Sequence, residues 1–141
     1  MDEESKVLPH IFEISMGVDR SLYSIVEHSF KYENQRSLLS LKSYLSPFHI
    51  AIFPLVNKNN LPELAHGIYE DLKLDFNAFY DVSGSIGRRY RRQDEIGTPF
   101  CITIDFETLE SETVTLRNRD SMEQIRIPIK DIRNKLHDSI L

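Results

Sequence analysis

The sequence predicts an α/β fold: a three-layer domain with a mixed central sheet of about five strands flanked by helices, preceded by a separate strand–helix unit. Three observations carry this. Residues 48–56 are almost continuously apolar, as in a strand covered on both faces. Phe100, Ile102, Ile104 and Phe106 alternate with Cys101, Thr103 and Asp105, the period of two that marks a strand. Between them Leu61, Leu64, Ala65, Ile68 and Leu72 form one helical stripe. Strands interleaved with helices pair in parallel, and the later hairpin adds antiparallel strands to the same sheet.

Taken in order, residues 11–16 are short and apolar-rich and read as a strand, broken by Gly17. Leu22, Ile25, Val26 and Phe30 then recur at helical spacing. Residues 31–46 lose clear periodicity and end at Ser46-Pro47, so they read as a connector of mixed structure closing a first unit, 1–46, ahead of a second, 47–141. Residues 57–60 form a turn, with Asn60 an N-cap and Glu63 completing a capping box. Residues 76–80 read as a second strand, feeding a Gly-Ser turn and a short arginine-rich helix that Gly97 and Pro99 end. Residues 113–119 form a strand with Val114 and Leu116 on one face and Thr113, Thr115 and Arg117 on the other. Residues 124–129 are a strand whose Pro128 argues for an edge or terminus. Ile132, Leu136 and Ile140 stripe a closing helix. The first unit lacks a sheet to pack on, so Ile11, Ile14 and Leu22 are expected to be exposed or covered by a partner.

At 141 residues and 40% hydrophobic, the chain can bury one proper core but not two large ones. No run of 18 apolar residues and no signal-peptide pattern occurs, which argues against a membrane and for the cytoplasm. A single cysteine, Cys101, cannot form an internal disulfide and reads as a structural thiol in mid-strand. The five histidines fall at no metal-ligand spacing, so no metal site of the chain's own is expected.

The net charge of −5 is unevenly spread. Residues 84–97 carry +2 and residues 113–126 carry +1, leaving the remainder at −8. Phosphate affinity is therefore confined to two segments, and the acidic rest restricts how RNA docks. In the first segment Arg88, Arg89, Arg91 and Arg92 share one short helix with Tyr90. Arg88 and Arg92 lie on one face, Ile86, Tyr90 and Ile96 point to the sheet, and Arg91 can pair with Glu95. Each arginine is either a structural ion pair or an RNA contact. The Gly84-x-x-Gly87 turn is a weak phosphate signal and is no P-loop, because the Lys-Ser/Thr ending is missing. Arg117 and Arg119 alternate on a strand, and with Glu107 ahead of the hairpin they offer donors and an acceptor to an unstacked base. The alternative is a plain Glu107–Arg117 pair across the hairpin. In the first unit Glu13 and Ser15 project from the same side of the expected strand, ahead of Arg20. A carboxylate beside a hydroxyl suits an ammonium-bearing ligand and a guanidinium suits a polyphosphate, against a surface Asp19–Arg20 pair as the plain reading.

These residues carry a resemblance. The string Ile14-Ser-Met-Gly-Val-Asp-Arg20 resembles motif 3 of class II aminoacyl-tRNA synthetases. Residues 83–107 (beginning Ser-Gly-Ser-Ile-Gly-Arg-Arg-Tyr-Arg-Arg), with residues 114–126, resemble the C-terminal anticodon-binding domain of glycyl-tRNA synthetases of the archaeal and eukaryotic type. The likeness covers about residues 8–140 and is most specific over 83–107. It implies tRNA anticodon recognition within an enzyme that ligates glycine to tRNA(Gly) using ATP and magnesium, as a homodimer when complete. By this resemblance the catalytic Arg20 contacts the ATP γ-phosphate with Gly17 beside it. Glu13 and Ser15 hold the glycine ammonium. Arg88, Arg89, Arg91, Arg92, Glu107, Arg117, Arg119 and Arg126 become the tRNA-contact candidates, Glu107 and Arg117 by position with the base-reading pair of the threonine enzyme.

The departure is large: motifs 1 and 2, and most of the catalytic sheet, have no counterpart in the 141 residues. Residues 1–46 then read as the end of a class II catalytic domain, and the chain alone is expected not to aminoacylate. Two rivals stand: a free-standing accessory subunit of the same fold without synthetase activity, and an α/β interaction domain with no RNA role.

Overall fold

In the computed structural model, which describes residues 8–140, the chain runs α1 (Val18–Ser29), β1 (Phe30–Glu33), β2 (Arg36–Leu39), β3 (Ile50–Pro54), α2 (Leu61–Leu72), β4 (Ala78–Tyr80), α3 (Ile86–Ile96), β5 (Phe100–Ile104), α4 (Phe106–Ser111), β6 (Thr113–Asn118), β7 (Gln124–Pro128) and α5 (Ile132–Ile140). Short 3-10 turns lie at Ser43–Leu45 and Ile129–Asp131. Five strands form one mixed sheet in the order β4-β3-β5-β6-β7. β4 and β5 flank β3 in parallel, and β6 and β7 add on antiparallel. This is the sheet that the alternation of strands and helices predicts.

The continuously apolar β3 is the sheet's second strand, buried at all five positions, because its neighbours and both helical layers exclude water from either side. One face, carrying Ile50, Ile52, Ile102, Ile104, Val114 and Leu116, packs against Leu61, Ala65, Ile68 and Leu72 of α2 and Ile132, Leu136 and Ile140 of α5. Each of these Ile, Leu and Val side chains taken wholly out of water contributes about 1.5–3 kcal/mol. The opposite face is smaller: Ala51, Phe53 and Cys101, covered by Phe79, Ile86 and Tyr90.

Four local expectations are corrected. Residues 11–16 form no strand, since a lone strand would leave its N–H and C=O groups without partners. They are open to solvent with α1: Ile11 is 86%, Ile14 76% and Leu22 59% exposed, as the missing sheet implied. The connector hides a hairpin, β1 with β2, turned by Asn34 and Gln35 at φ 51° and 58°. Asn60 does stand at the N-cap of α2 but at φ 62° with no side-chain cap bond, so its box with Glu63 does not form. Ahead of β6 lies an unforeseen helix, α4, capped by Asp105, whose Oδ1 accepts from Thr108 N at 3.0 Å while the Thr108 hydroxyl accepts from Asp105 N.

Packing runs across the expected boundary at residues 46 and 47. Arg36, Leu38, Leu41 and Ser46 are buried, and the Ser46 hydroxyl donates to Gly97 O at 2.8 Å. No helix among the described residues is long and apolar enough to cross a membrane.

Candidate nucleic-acid interface

α3 begins beyond Gly84 (φ 77°) and ends at Gly97 (φ 93°), both left-handed positions that suit glycine. Ile86 and Tyr90 face the sheet as their spacing predicts. The Tyr90 ring meets Phe53 edge-on at 5.7 Å, and its hydroxyl pairs with the Thr103 hydroxyl.

This seating divides the four arginines. Arg88 and Arg91 are exposed, and neither pairs with a carboxylate among the described residues; the expected Arg91–Glu95 pair does not form. Arg92 sits at the rim, donating to the Asp81 carboxylate and to Ser83 O at 2.7 Å. Arg89 points inward and is 2% exposed, donating to the carbonyls of Pro54 (2.6 Å), Leu55 (3.2 Å) and Asp81 (3.3 Å). The face of α3 that Tyr90 turns inward takes Arg89 with it, so the sequence's placement of Arg89 on an RNA-facing surface is corrected.

The second arginine segment is corrected more strongly. Arg117 does point away from Val114 and Leu116, but α3 covers that face. Its two terminal nitrogens donate to Asp94 at 2.8 and 3.0 Å, with the guanidinium 4.8 Å from the Tyr90 ring centre. Arg36 of β2 reaches the same carboxylate at 3.1 Å and donates to Arg119 O at 2.8 Å. Arg119 is buried too, donating to Gly97 O (2.6 Å) and Leu41 O (2.9 Å) and pairing with Asp120. Neither offers a free fork to a base. Glu107 does not meet Arg117 either; α4 carries it to Arg126, 3.3 Å from Nε. Arg126 grips Asp105 with both terminal nitrogens, at 2.7 and 2.8 Å. The hydrogen bonds from Arg126 come first among the causes that hold the Asp105 carboxyl down to about 2.

The outward polar surface is thus Arg88, Arg91 and Arg92 on α3, with the half-buried Arg126 and the exposed Glu107 beyond it. Arg36, Asp81 and Asp94 organise it, and sequence reasoning missed all three. Asp94 carried a faint signal, as an acid inside a basic helix beside Tyr90.

In the first unit, Ser15, Gly17 and Arg20 line one groove of about 450 Å3 at the start of α1; Glu13 is exposed and outside the groove lining. Gly17 O accepts from Ser21 N (3.0 Å) and from its hydroxyl (3.1 Å), which ties the turn to the helix. Among the described residues no cluster of three or more His, Cys, Asp or Glu is placed to hold a metal ion. Cys101 is wholly buried, and that burial pushes its thiol up to about 12.

Three layers around a β4-β3-β5-β6-β7 sheet, with a basic helix over one face, make a mixed α/β fold that solved tRNA synthetases share. The RNA binding domain of threonyl-tRNA synthetase from Cryptosporidium parvum Iowa II shares it at TM-score 0.64 and 20% identity, over 71% of this chain and 25% of that one. Prolyl-tRNA synthetase from Cryptosporidium parvum shares it at TM-score 0.65 and 20% identity, over 71% and 22%. More narrowly, residues 49–139 match the anticodon binding domain family, and the chain belongs to it. The similarity reaches further at the level of sequence. A glycine–tRNA ligase of Methanococcus maripaludis strain C7 is 47% identical over 136 residues, covering 96% of this chain and 24% of the relative. One from Borrelia hermsii is 43% identical over 141 residues, covering 96% and 32%. The chain therefore spans about a quarter to a third of the length of these relatives.

Proposed function

We propose that this domain recognises the anticodon stem-loop of tRNA(Gly) as part of a glycine–tRNA ligase, which joins glycine to its tRNA using ATP accompanied by magnesium. The observation that carries the reading is the pair Arg88 and Arg91: two exposed guanidiniums without carboxylate partners among the described residues, on a short helix of an otherwise acidic chain. An acidic protein gains nothing in solubility from such a pair, whereas a phosphate backbone neutralises it with release of counterions. Identity near 47% to glycine–tRNA ligases, extending across residues outside the anticodon-binding match, supports the choice of amino acid.

The first unit fits the same reading. Arg20 and Gly17 share a groove suited to a triphosphate, and Ser15 lines it. Glu13 would turn toward the glycine ammonium only with the remaining catalytic sheet in place. A ligase of this kind is cytoplasmic and works as a homodimer, the partner portion covering the apolar face of α1. The 141-residue chain by itself forms no adenylate, so glycine-dependent ATP–pyrophosphate exchange stays at background.

The test is a titration with tRNA carrying the glycine anticodon against the same tRNA with that triplet replaced, at two ionic strengths. Weaker binding of the altered tRNA, and of both at higher salt, is the expected result. Equal affinity for both overturns the anticodon reading, and salt-independent binding overturns the role of the arginines.

A further inference from the structure

The face of the sheet turned away from α3 carries a cavity that the arginines do not reach. It lies where β5 begins, β6 ends and β7 begins, with a volume of about 380 Å3, and α5 and the 3-10 turn Ser43–Leu45 complete its lining. The floor is apolar. Phe100 and Leu116, part of the core beneath α5, are 8% and 3% exposed, and Ile125, opposite Leu116 in the β6–β7 register, is 39% exposed. The volume is at the low end of the range for small-molecule pockets, and an apolar floor with a few polar groups is their usual composition.

Two opposite charges line this cavity without meeting. Glu123 stands just ahead of β7 and Lys135 on α5, and neither forms an ion pair among the described residues. Several other bases of the domain do find an acid: Lys73 pairs with Glu70, Arg92 with Asp81, Arg126 with Asp105 and Arg133 with Asp71. Asn118 adds a third group to the lining. Its Oδ1 accepts from Asp120 N at 2.9 Å and from Ser121 N at 3.0 Å, which fixes the orientation of the amide. Its Nδ2 has no hydrogen-bond partner among the described residues, so a donor is left for a ligand.

We propose that this cavity binds a free α-amino acid with an aliphatic side chain. The ligand's carboxylate accepts from Lys135 Nζ and Asn118 Nδ2, its ammonium donates to the Glu123 carboxylate, and its side chain lies over Ile125. Both ends then make charge-assisted hydrogen bonds, and one dipolar molecule bridges the two unpaired charges. An acid lacking the ammonium would bring like charge against Glu123, and an amine lacking the carboxylate would do so against Lys135. The site does not rest on the RNA reading: α3 and its arginines cover the other face, over Ala51, Phe53 and Cys101.

The experiment titrates the isotopically labelled 141-residue chain with L-leucine and follows the backbone amides of residues 118–125 and 135–139. Saturable shifts centred on these residues are expected. Leucine amide and N-acetyl-leucine, each lacking one charge, should bind about tenfold more weakly, and so should glycine, which leaves Ile125 uncovered. Lys135→Gln and Glu123→Gln should each weaken leucine binding by about tenfold. Both side chains are exposed, so the melting temperature of either variant stays that of the parent. Leucine shifts should persist when an RNA stem-loop is added, because α3 lies across the sheet. Shifts that rise without saturating, or an equal response to leucine and to both one-charge analogues, would overturn the site. Loss of the leucine shifts on adding RNA would overturn it too, and would give the cavity to the nucleic acid.

Discussion

Asp94 of α3 accepts from both terminal nitrogens of Arg117 of β6, at 2.8 and 3.0 Å, with only 2% of Asp94 and 6% of Arg117 exposed. Arg36 of the β1–β2 hairpin closes on the same carboxylate at 3.1 Å. One acid therefore joins a basic helix, the sheet beneath it and the hairpin beside it. Taking Asp94 away would leave the enclosed Arg117 without a carboxylate and Arg36 with only the exposed Glu33, 2.9 Å from it. Asp94→Ala is expected to destabilise the domain by about 3–5 kcal/mol, read as a shifted midpoint in urea denaturation. A midpoint within error of the parent would show that the cluster contributes little.

Arg88 and Arg91 should behave oppositely. Both side chains stand in solvent, so Arg88→Ala and Arg91→Ala each change stability by no more than about 0.5 kcal/mol. Their effect appears in RNA binding, where each lost phosphate contact lowers the slope of log affinity against log salt by about one. An unchanged slope in both variants would remove α3 from the interface.

Asp105 makes acid stability testable. Its folded carboxyl titrates near 2, below the ordinary 3.8, because Arg126 holds the charged form. A depressed folded pKa contributes stability that is complete above the unfolded value and is lost as pH falls from 3.8 toward 2. Asp105→Asn, less stable at neutral pH, should flatten that part of the stability–pH curve. Parallel curves for parent and variant between those pH values would refute the linkage.

Gly97 joins α3 to the hairpin region. At φ 93° a side chain is strained, and a Cβ there would come within 2.8 Å of Leu41 and 3.1 Å of Leu39 O. The left-handed backbone alone costs an alanine about 1–2 kcal/mol, and the overlap adds to it. Gly97→Ala should lower the melting temperature by several degrees, whereas Gly87→Ala, which meets nothing within 4 Å, should not.

Cys101 should resist alkylation in the native chain, since its buried thiol is held up at about 12 and the thiolate is the reactive form. Labelling at pH 8 should appear only in denaturant. Rapid labelling without denaturant would mean that the layer formed by Phe53, Ile86 and Tyr90 opens.

The alternation in β5, the apolar run of β3 and the stripe of α2 were legible because burial on a sheet face or one helical side writes itself into a local period of 2 or 3.6. The inward turn of Tyr90 was legible for the same reason, and the glycines bounding α3 because glycine takes a left-handed backbone at little cost. The sequence by itself determined, in this way, the strands of the five-stranded sheet and the helices α2, α3 and α5 that cover it, and that arginines crowd one helix and one ribbon. Only the tertiary structure decided which of those arginines face water. Arg89 and Arg117 look no different in sequence from Arg88 and Arg91; what separates them is a carbonyl at the end of β3 and a carboxylate 23 residues away in the chain. A guanidinium is buried only where acceptors from distant segments converge to replace its water, and that convergence has no local period to read.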